Sequence, residues 1–319
     1  MAGSRDHARV PAWVPLVGAA LIGALTAIQA RINGQLGLRL DDGFVAAAVS
    51  FGTGLVILIV LSAALPAGRR GFGQLVRGVR GRSIPWWMLA GGAAGAFTVA
   101  TQGIAVGIIG VSLFTVGYVA GQIVCGLLLD RMGFGPGGAV AVTMPRVVGG
   151  ALALVAVGIS LTGGAAASVP FWMLVLPFVA GMGVAWQQAT NGRLRAQVGT
   201  PLTATLVNFI GGTTILVTAA LIHVALVGPP QPFPTEPWLY FGGALGVVYI
   251  FLSSALVAYT GVLLLALGTV VGQLVTAVAL DAAWPTAASP DLGQQFAMMA
   301  VALLAVLIAA APWRRRSRR

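Results

Sequence analysis

Charged residues are scarce in this 319-residue chain: 8% of its positions are Asp, Glu, Lys or Arg, while 58% are hydrophobic. A soluble domain carries about 25% charged residues. A chain with so few charges cannot cover a water-facing surface, so most of its exposed area must face lipid. The composition therefore predicts a multi-pass membrane protein.

Lysine is absent, and Cys125 is the single cysteine. One cysteine allows neither an internal disulfide nor a Cys-based metal site. The net charge of +11 comes from arginines in the gaps between apolar runs and at the two ends, so it does not predict nucleic-acid binding. Walker, zincin, Rossmann and Ser/His/Asp signatures are missing. We therefore expect no enzymatic activity, no cofactor and no metal.

Ten apolar runs are long enough to cross the membrane, which takes about 20 residues. The break between the eighth and ninth runs, near residues 259–261, is the weakest of the boundaries. The predicted spans are 13–33, 44–66, 85–106, 112–130, 145–163, 170–190, 202–227, 238–258, 261–282 and 294–313.

The arginines agree with ten spans. With the N-terminus placed in the cytoplasm, 16 of the 18 arginines fall on the cytoplasmic side, and only Arg31 and Arg39 fall outside. Such segregation is what the positive-inside rule requires, and an error of one span would destroy it. Both termini are therefore predicted to be cytoplasmic.

Two halves of the chain repeat each other. The phrase "GQIVCGLLLD" at 121–130 recurs as "GQLVTAVALD" at 272–281, and "GGAAG" at 91–95 recurs as "GGALG" at 242–246, both at an offset of 151. "QARINGQL" at 29–36 matches "QQATNGRL" at 187–194 at an offset of 158, which also pairs Ser50-Phe51 with Asn208-Phe209. Residues 1–164 and 165–319 are thus predicted to be two copies of one five-helix unit.

An odd number of spans per copy puts the copies in opposite orientations. The predicted fold class is therefore an all-α integral membrane protein with ten transmembrane helices, arranged as two inverted five-helix repeats (5+5). Inverted repeats are typical of secondary transporters, which carry their site at the repeat interface near the midplane. The fused repeat makes a monomer sufficient, and a homodimer is the alternative.

These motifs resemble a known family. The Gln-x-x-x-Asn-Gly element of the first helix, the Ser/Asn-Phe of the second and the Gly-Gln…Asp of the fourth are similar to the YdcZ-type branch of the drug/metabolite transporter superfamily. The resemblance covers essentially the whole chain, which looks like a fused pair. It implies the fold, a bacterial inner-membrane location and a transport role, with export as the direction, but it implies no substrate.

Gln122 and Gln273 are repeat equivalents inside apolar runs. A primary amide in hydrocarbon needs partners, so these two are candidates for the wall of a substrate cavity, with Tyr118 on the same helical stripe as Gln122. The alternative is that they hydrogen-bond across packed helices. Further candidates for the lining are Gln102, Asn208 and Tyr249.

Gln29 with Asn33, and Gln187 with Asn191, are spaced to share one helical face. Gln29 and Gln187 are therefore candidates for the same cavity. Each asparagine is followed by a glycine, and Asn-Gly is a common way to end a helix. Asn33-Gly34 and Asn191-Gly192 are accordingly predicted as helix stops.

Asp130 and Asp281 lie at helix C-termini, where a carboxylate opposes the helix dipole and would gain from a cationic partner. The predicted topology offers Arg31 and Arg39 to Asp281, and Arg193 and Arg195 to Asp130. We hypothesise two ion pairs that close the two faces of the transporter. Simple solvation, or pairing with a neighbour, is the alternative.

No Asp, Glu, Lys or Arg lies near the middle of a predicted span, which argues against a carboxylate that exchanges protons for cationic drugs. The expected function is transport of a small polar or amphipathic solute by alternating access, with the lipid bilayer and that solute as partners. The alternatives are a lipid or lipid-linked flippase and a non-transporting membrane scaffold. The scaffold predicts Gln122 and Gln273 in tight contacts with no cavity.

Overall fold

The computed structural model describes residues 13–134, 143–160, 169–286 and 290–310, and that part of the chain is helical without strands. The longer α-helices in the described residues are α1 (Trp13–Leu40), α2 (Gly43–Ala64), α3 (Pro66–Arg80), α4 (Gly91–Thr101), α5 (Val111–Met132), α6 (Met144–Ser160), α7 (Phe171–Val198), α8 (Pro201–Val227), α9 (Gly242–Ala283) and α10 (Leu292–Ala310). A π-helical stretch, Gln102–Val106, and a last turn, Gly107–Ile109, extend α4 to Gly110, where the backbone turns with a φ of 84°.

Five described segments are long and apolar enough to cross a bilayer, namely Gly43–Ala64, Trp86–Ile109, Val111–Met132, Phe171–Val198 and Pro201–Val227. Shorter apolar helices lie at Met144–Ile159, Gly242–Ser253, Gly268–Ala283 and Leu292–Ile308. The protein is therefore a helical multi-pass membrane protein, as the composition predicted.

The α9 helix is one helical element of 42 residues that covers the two spans predicted at 238–258 and 261–282. Its two ends nevertheless contact α1 in opposite order. Gly242 lies beside Asn33 and Leu256 beside Gly18, whereas Gly272 lies beside Ala20 and Asp281 beside Arg31. The first and last parts of α9 thus run in opposite directions along α1.

The α3 helix is an amphipathic element that the sequence analysis treated as an inter-span segment. It buries Gly68, Gly71 and Leu75. Gly71 is tightly packed, since a Cβ there would overlap the side chains of Thr200 and Thr203 at the start of α8. The helix ties the end of α2 to the second half of the chain.

The predicted helix stops at Asn33-Gly34 and Asn191-Gly192 are wrong, because α1 and α7 run through both. Gly34 serves close packing instead: a Cβ there would lie 2.7 Å from the Gly107 backbone nitrogen and 2.8 Å from the Val106 side chain. The two helices end seven residues after their asparagines, at Leu40 and Val198. Asp41 and Gly199, which are repeat equivalents, take positive φ values of 50° and 73°.

The next residue in each copy starts the following helix. Asp42 accepts hydrogen bonds from the backbone amides of Phe44 and Val45, both at 2.9 Å. Its equivalent Thr200 accepts from the amide of Leu202 at 3.3 Å. Both side chains are N-caps, which satisfy amides that a helix start leaves unpaired. The repeat therefore extends to the capping residues.

Glycines set the closest helix crossings, and the crossings are symmetric. A Cβ at Gly121 would overlap the carbonyl oxygen of Phe178, and its equivalent Gly272 stands in the same relation to Ala20. Likewise, a Cβ at Gly181 would overlap the carbonyl oxygen of Tyr118, and a Cβ at its equivalent Gly23 would overlap that of Thr269. These contacts pack α5 on α7 and α9 on α1, so each crossing joins the first half of the chain to the second.

Candidate functional site

A small cavity lies where the two halves meet. Its lining residues come almost entirely in repeat-related pairs at the offsets of 158 and 151. The pairs are Thr26 and Val184, Gln29 and Gln187, Phe51 and Phe209, Gly95 and Gly246, Thr98 and Tyr249, and Val99 and Ile250. Gln102 and Tyr118 complete the lining. The cavity therefore has a pseudo-two-fold axis, which both halves of the chain share.

Two phenylalanines stack at this axis. The ring centroids of Phe51 and Phe209 are 4.7 Å apart with an interplanar angle of 28°, a favourable offset arrangement. Each ring fits against glycine: a Cβ at Gly212 would overlap Phe51, and a Cβ at its equivalent Gly54 would overlap Phe209. The pair joins α2 to α8 and forms an apolar wall of the cavity.

The two glutamines of the repeated first helix lie on either side of the axis. Gln29 and Gln187 are 4% and 3% exposed. A Cβ at Gly246 would lie 2.7 Å from the Gln29 Nε2, and a Cβ at Gly95 would lie 2.6 Å from the Gln187 Nε2. Each amide therefore sits above a glycine that leaves it room. Gln29 also donates to the carbonyl of Gly242 at 2.9 Å.

The cavity is polar but carries no charge. None of its lining residues is Asp, Glu, Arg, Lys or His. Its volume is about 20 Å³, which suits a single water molecule, since one water needs roughly 10–15 Å³ of such space. A solute could enter only if the helices moved apart.

The structure places the predicted lining residues in two groups. Gln29, Gln187, Gln102, Tyr118 and Tyr249 come together around the cavity. Gln122, Gln273 and Asn208 are not part of its lining. Both glutamines lie at the glycine crossings instead. A Cβ on Gly23 would lie 2.6 Å from the backbone nitrogen of Gln273, and a Cβ on Gly181 would lie 3.0 Å from that of Gln122.

Asn33 and Asn208 mark opposite ends of the cavity. Asn33 is fully buried and donates to the Gln102 Oε1 at 2.7 Å. Asn208 is 1% exposed, and neither polar atom of its side chain has a hydrogen-bond partner among the described residues. These residues define the Asn33 end and the Asn208 end of the cavity.

Asp281 closes the Asn33 end in a way that the sequence did not predict. Its two carboxylate oxygens accept from the backbone amides of Val111 and Ser112, at 2.9 and 2.7 Å. Asp281 therefore caps the N-terminus of α5 from the other half of the chain. Arg31 is the second partner, 4.0 Å away, and donates to the carbonyl of Trp284 at 2.8 Å.

The other predicted ion pairs are not formed. Arg39 pairs with Glu236 at 3.0 Å rather than with Asp281. Asp130 pairs with Arg146 at 2.7 Å rather than with Arg193 or Arg195. The prediction assumed that both aspartates meet arginines of the other half, but Arg146 begins the next helix of Asp130's own half and is nearer.

At the Asn208 end, Arg193 binds backbone carbonyls and aromatic rings instead of an aspartate. It donates to the carbonyls of Phe134 and Gly133 at 2.8 and 2.9 Å, next to the C-terminus of α5. Its guanidinium also lies 5.6 Å from the ring centroid of Trp87 and 5.1 Å from that of Phe134, within the range of cation–π attraction. It thus joins α7 to the end of α5.

Comparison with known proteins identifies the family. The family model described as "Putative inner membrane exporter, YdcZ" matches residues 14–160 and again residues 172–311. The chain belongs to the YdcZ family of the drug/metabolite transporter superfamily. It is accordingly a multi-pass protein of the inner membrane and a member of a family of exporters.

Two further comparisons add less about this YdcZ-family protein. A solved structure described only as "Crystal structure of protein" superposes with a TM-score of 0.53 and 18% identity, over 95% of this chain and 99% of that chain. At that identity the likeness shows a shared fold alone. No curated protein is significantly similar to the chain.

The sequence analysis of this YdcZ-family protein missed the phenylalanines. Phe51 and Phe209 were recognised as repeat equivalents but not as lining residues, because an apolar side chain in an apolar span has no distinctive polarity. The usable signal was their recurrence beside Ser50 and Asn208. In an inverted repeat, residues near the symmetry axis must recur in both copies.

Proposed function

We propose that this YdcZ-family protein moves a small uncharged solute across the inner membrane by alternating access, in the direction of export. The observation that carries the proposal is the cavity, whose pairs of lining residues come from equivalent positions of the two halves. The proposed architecture is ten spans in two inverted five-helix repeats, residues 1–164 and 165–319, with both termini in the cytoplasm.

Symmetry supports two states of similar free energy. If the halves are inverted copies, exchanging their conformations turns a cavity closed at the Asn33 end into one closed at the Asn208 end. The glycine crossings at Gly23, Gly121, Gly181 and Gly272 would act as pivots, since they hold the backbones together without interlocking side chains. The Phe51–Phe209 pair would lie at the centre of the movement.

The two ends are closed to different degrees. At the Asn33 end, Asp281, Arg31 and Gln29 all bond across the two halves. At the Asn208 end, Arg193 also bonds across the halves, to the carbonyls of Gly133 and Phe134, but the buried amide of Asn208 has no partner among the described residues. With the predicted orientation, the Asn33 end faces outward. We therefore assign the structure to an occluded state that is more firmly closed on the outside and opens more readily to the cytoplasm.

Asp281→Asn is expected to weaken the outer closure. An asparagine keeps one acceptor oxygen but turns an amide donor toward a helix N-terminus, which loses a charge-assisted bond worth about 1.5–3 kcal/mol. In a Cys125→Ala background, Gln35→Cys beside Arg31 should then react several-fold faster with an impermeant maleimide added from outside. Glu236→Gln, which removes the surface pair with Arg39, is the matched control. Equal labelling rates in both variants would refute an outer closure at Asp281.

The absence of charge in the cavity supports the choice of an uncharged solute. A cation or anion would have to leave water for a site that offers only amides, hydroxyls and aromatic rings, at a cost of several kcal/mol. The scaffold alternative predicted Gln122 and Gln273 in tight contacts with no cavity. Both glutamines do lie at tight helix crossings, but the symmetric cavity between the halves supports transport. A flippase would need a lateral opening toward lipid between the helices.

Export from loaded proteoliposomes tests the proposal. Vesicles with and without the protein would be filled with a mixture of uncharged, cationic and anionic solutes, and the contents measured by mass spectrometry after dilution. We expect protein-dependent loss of one or more uncharged solutes. Loss confined to charged solutes would contradict the uncharged site, and loss of labelled lipid from one leaflet would favour the flippase.

A further inference from the structure

A row of three side-chain amides follows one face of α4. A Cβ at Gly91 would lie 2.7 Å from the Asn191 Oδ1 and 3.4 Å from the Asn208 Oδ1. One turn further along, a Cβ at Gly95 would lie 2.6 Å from the Gln187 Nε2. Gly91 and Gly95 together form a track without side chains, so these three amides line up beside it between the cavity and the Asn208 end.

None of these three amides has a hydrogen-bond partner among the described residues. Asn208 and Gln187 are 1% and 3% exposed, and Asn191 is half-buried. A buried amide without a partner destabilises the folded protein, because it has given up its hydrogen bonds to water. Asn208, whose two polar atoms are both buried and unpaired, is the one of the three that most needs an explanation. The row is built to receive a polar group that is not part of its own half.

The other half of the protein shows what such a group looks like. There the equivalent row follows Gly242 and Gly246 and consists of Asn33, Ser50 and Gln29. The Asn33 Nδ2 donates to the side-chain carboxamide of Gln102, and Gln29 donates to the Gly242 carbonyl. In the first row the protein itself thus provides an acceptor for the asparagine amide, the carboxamide of Gln102, while the Asn33 Oδ1 and the Ser50 Oγ have no partner among the described residues.

The second row has no equivalent of the Gln102 carboxamide because of one sequence difference. The offset of 151 holds at Gly91/Gly242 and again at Gly121/Gly272, so the equivalent of Gln102 is Ser253. Serine is too short to reach across, and its hydroxyl donates to the carbonyl of Tyr249 in its own helix at 2.7 Å. The place that Gln102 fills beside Asn33 thus has no counterpart beside Asn191.

We propose that the solute supplies the missing group: the protein binds a small uncharged molecule through a carboxamide, which hydrogen-bonds to Asn191 and Gln187 as the Gln102 side chain does to Asn33. Asn208 completes the row and holds the same group at the Asn208 end. The Phe51–Phe209 pair beside Gly95 offers an apolar face to the rest of the molecule, so a carboxamide on a flat ring fits best. This assignment rests on the proposed function and names its substrate class.

A carboxamide is the group that this row would select. Each asparagine or glutamine presents one acceptor and one donor side by side, and a carboxamide presents the complementary pair. A carboxylate of the same shape has two acceptors, no donor and a charge. Replacing the amide by a carboxylate should therefore remove binding, because the acceptor oxygens of the row would face acceptor oxygens and no cation is present to balance the charge.

Nicotinamide and nicotinate are suitable probes because they share a ring and differ in this group. Binding would be measured as the shift in melting temperature of the purified full-length protein. A ligand stabilises by RT ln(1 + [L]/Kd), which at a hundredfold excess over Kd is about 2.7 kcal/mol. We expect a saturable rise with nicotinamide and none with nicotinate.

Ser253→Gln is the decisive variant because it installs the second internal carboxamide. It should raise the melting temperature in the absence of any probe and weaken nicotinamide binding by at least tenfold. Ser253→Ala is the matched control and should leave the affinity for nicotinamide within about twofold. Asn208→Leu gives an independent check: it should abolish the shift with nicotinamide while the protein stays folded.

Binding of nicotinate as tight as that of nicotinamide, or affinity unaltered by Ser253→Gln, would overturn the carboxamide site. So would the absence of any shift with nicotinamide and with two further neutral ring carboxamides, benzamide and pyrazinamide. The proposed function is tested separately, in spheroplasts and inside-out vesicles, by two-sided labelling of a cavity cysteine. If that labelling alternates while no carboxamide binds, transport stands and only the substrate class fails.

Discussion

Gln187→Leu is expected to lower the affinity for the transported solute by about 10- to 100-fold without unfolding the protein. Leucine fills nearly the same volume above Gly95, but it cannot hydrogen-bond to the solute, and a polar group left unpaired on binding costs about 1–3 kcal/mol. The Gln187 amide has no partner among the described residues, so the folded protein loses no hydrogen bond by the change. Binding by thermal shift and export from proteoliposomes would measure the effect.

Gln188→Leu provides the control for this experiment, because Gln188 is the next residue of α7 and is exposed. It adds the same apolar side chain to the same helix without touching the cavity. Equal losses of affinity in the two variants would place the effect on α7 as a whole. Unchanged affinity in Gln187→Leu would remove Gln187 from the site.

Gly121→Val is expected to destabilise the folded protein by about 3 kcal/mol, at the upper end of the usual cost of overpacking. The added side chain would overlap the Phe178 carbonyl, which is backbone and cannot move aside as a side chain would. The α5–α7 crossing would have to open, and with it the joint between the two halves. The measurement is the midpoint of unfolding in a mild detergent with increasing amounts of dodecyl sulfate.

Gly126→Val is the matched substitution, since Gly126 lies on the same helix and a Cβ there meets nothing within 4 Å. Both variants replace glycine by valine in α5, so their difference isolates the crossing. Gly272→Val, at the equivalent crossing of α9 on α1, should behave like Gly121→Val. Similar midpoints for Gly121→Val and Gly126→Val would show that the crossing tolerates a side chain and cannot be a pivot.

The helical, membrane-spanning character of the fold could be predicted from the sequence because it depends on composition and length. The internal repeat could be predicted as well, because its motifs keep constant offsets. The repeated phrase around Gly121 and Gly272 drew attention to Gln122 and Gln273, yet the structure gives the tightest contacts to the glycines. An amide in an apolar run is conspicuous in a sequence, whereas a glycine among 45 glycines is not.

The candidate site was less predictable because polar side chains in a membrane have several uses. Gln29, Gln187 and Gln102 line the cavity, but nothing in the sequence distinguishes them from Gln122, which lies at a helix crossing. The Asn-Gly pairs had two interpretations, a helix stop or a close contact, and local sequence could not choose between them. Which arginine reaches Asp130 depended on the packing of α6 beside α5, which places Arg146 next to it.

Two-sided labelling of one cavity cysteine tests the central claim most directly. Thr98 lines the cavity and is repeat-related to Tyr249, so Thr98→Cys in a Cys125→Ala background places a single thiol at the symmetry axis. An impermeant maleimide would be added to spheroplasts and to inside-out vesicles, with and without a transported solute. The account predicts labelling from both faces, faster from the cytoplasmic face in the absence of solute, and a shift toward the outer face when solute is added. Labelling from one face only under every condition, or from neither, would contradict alternating access through this cavity.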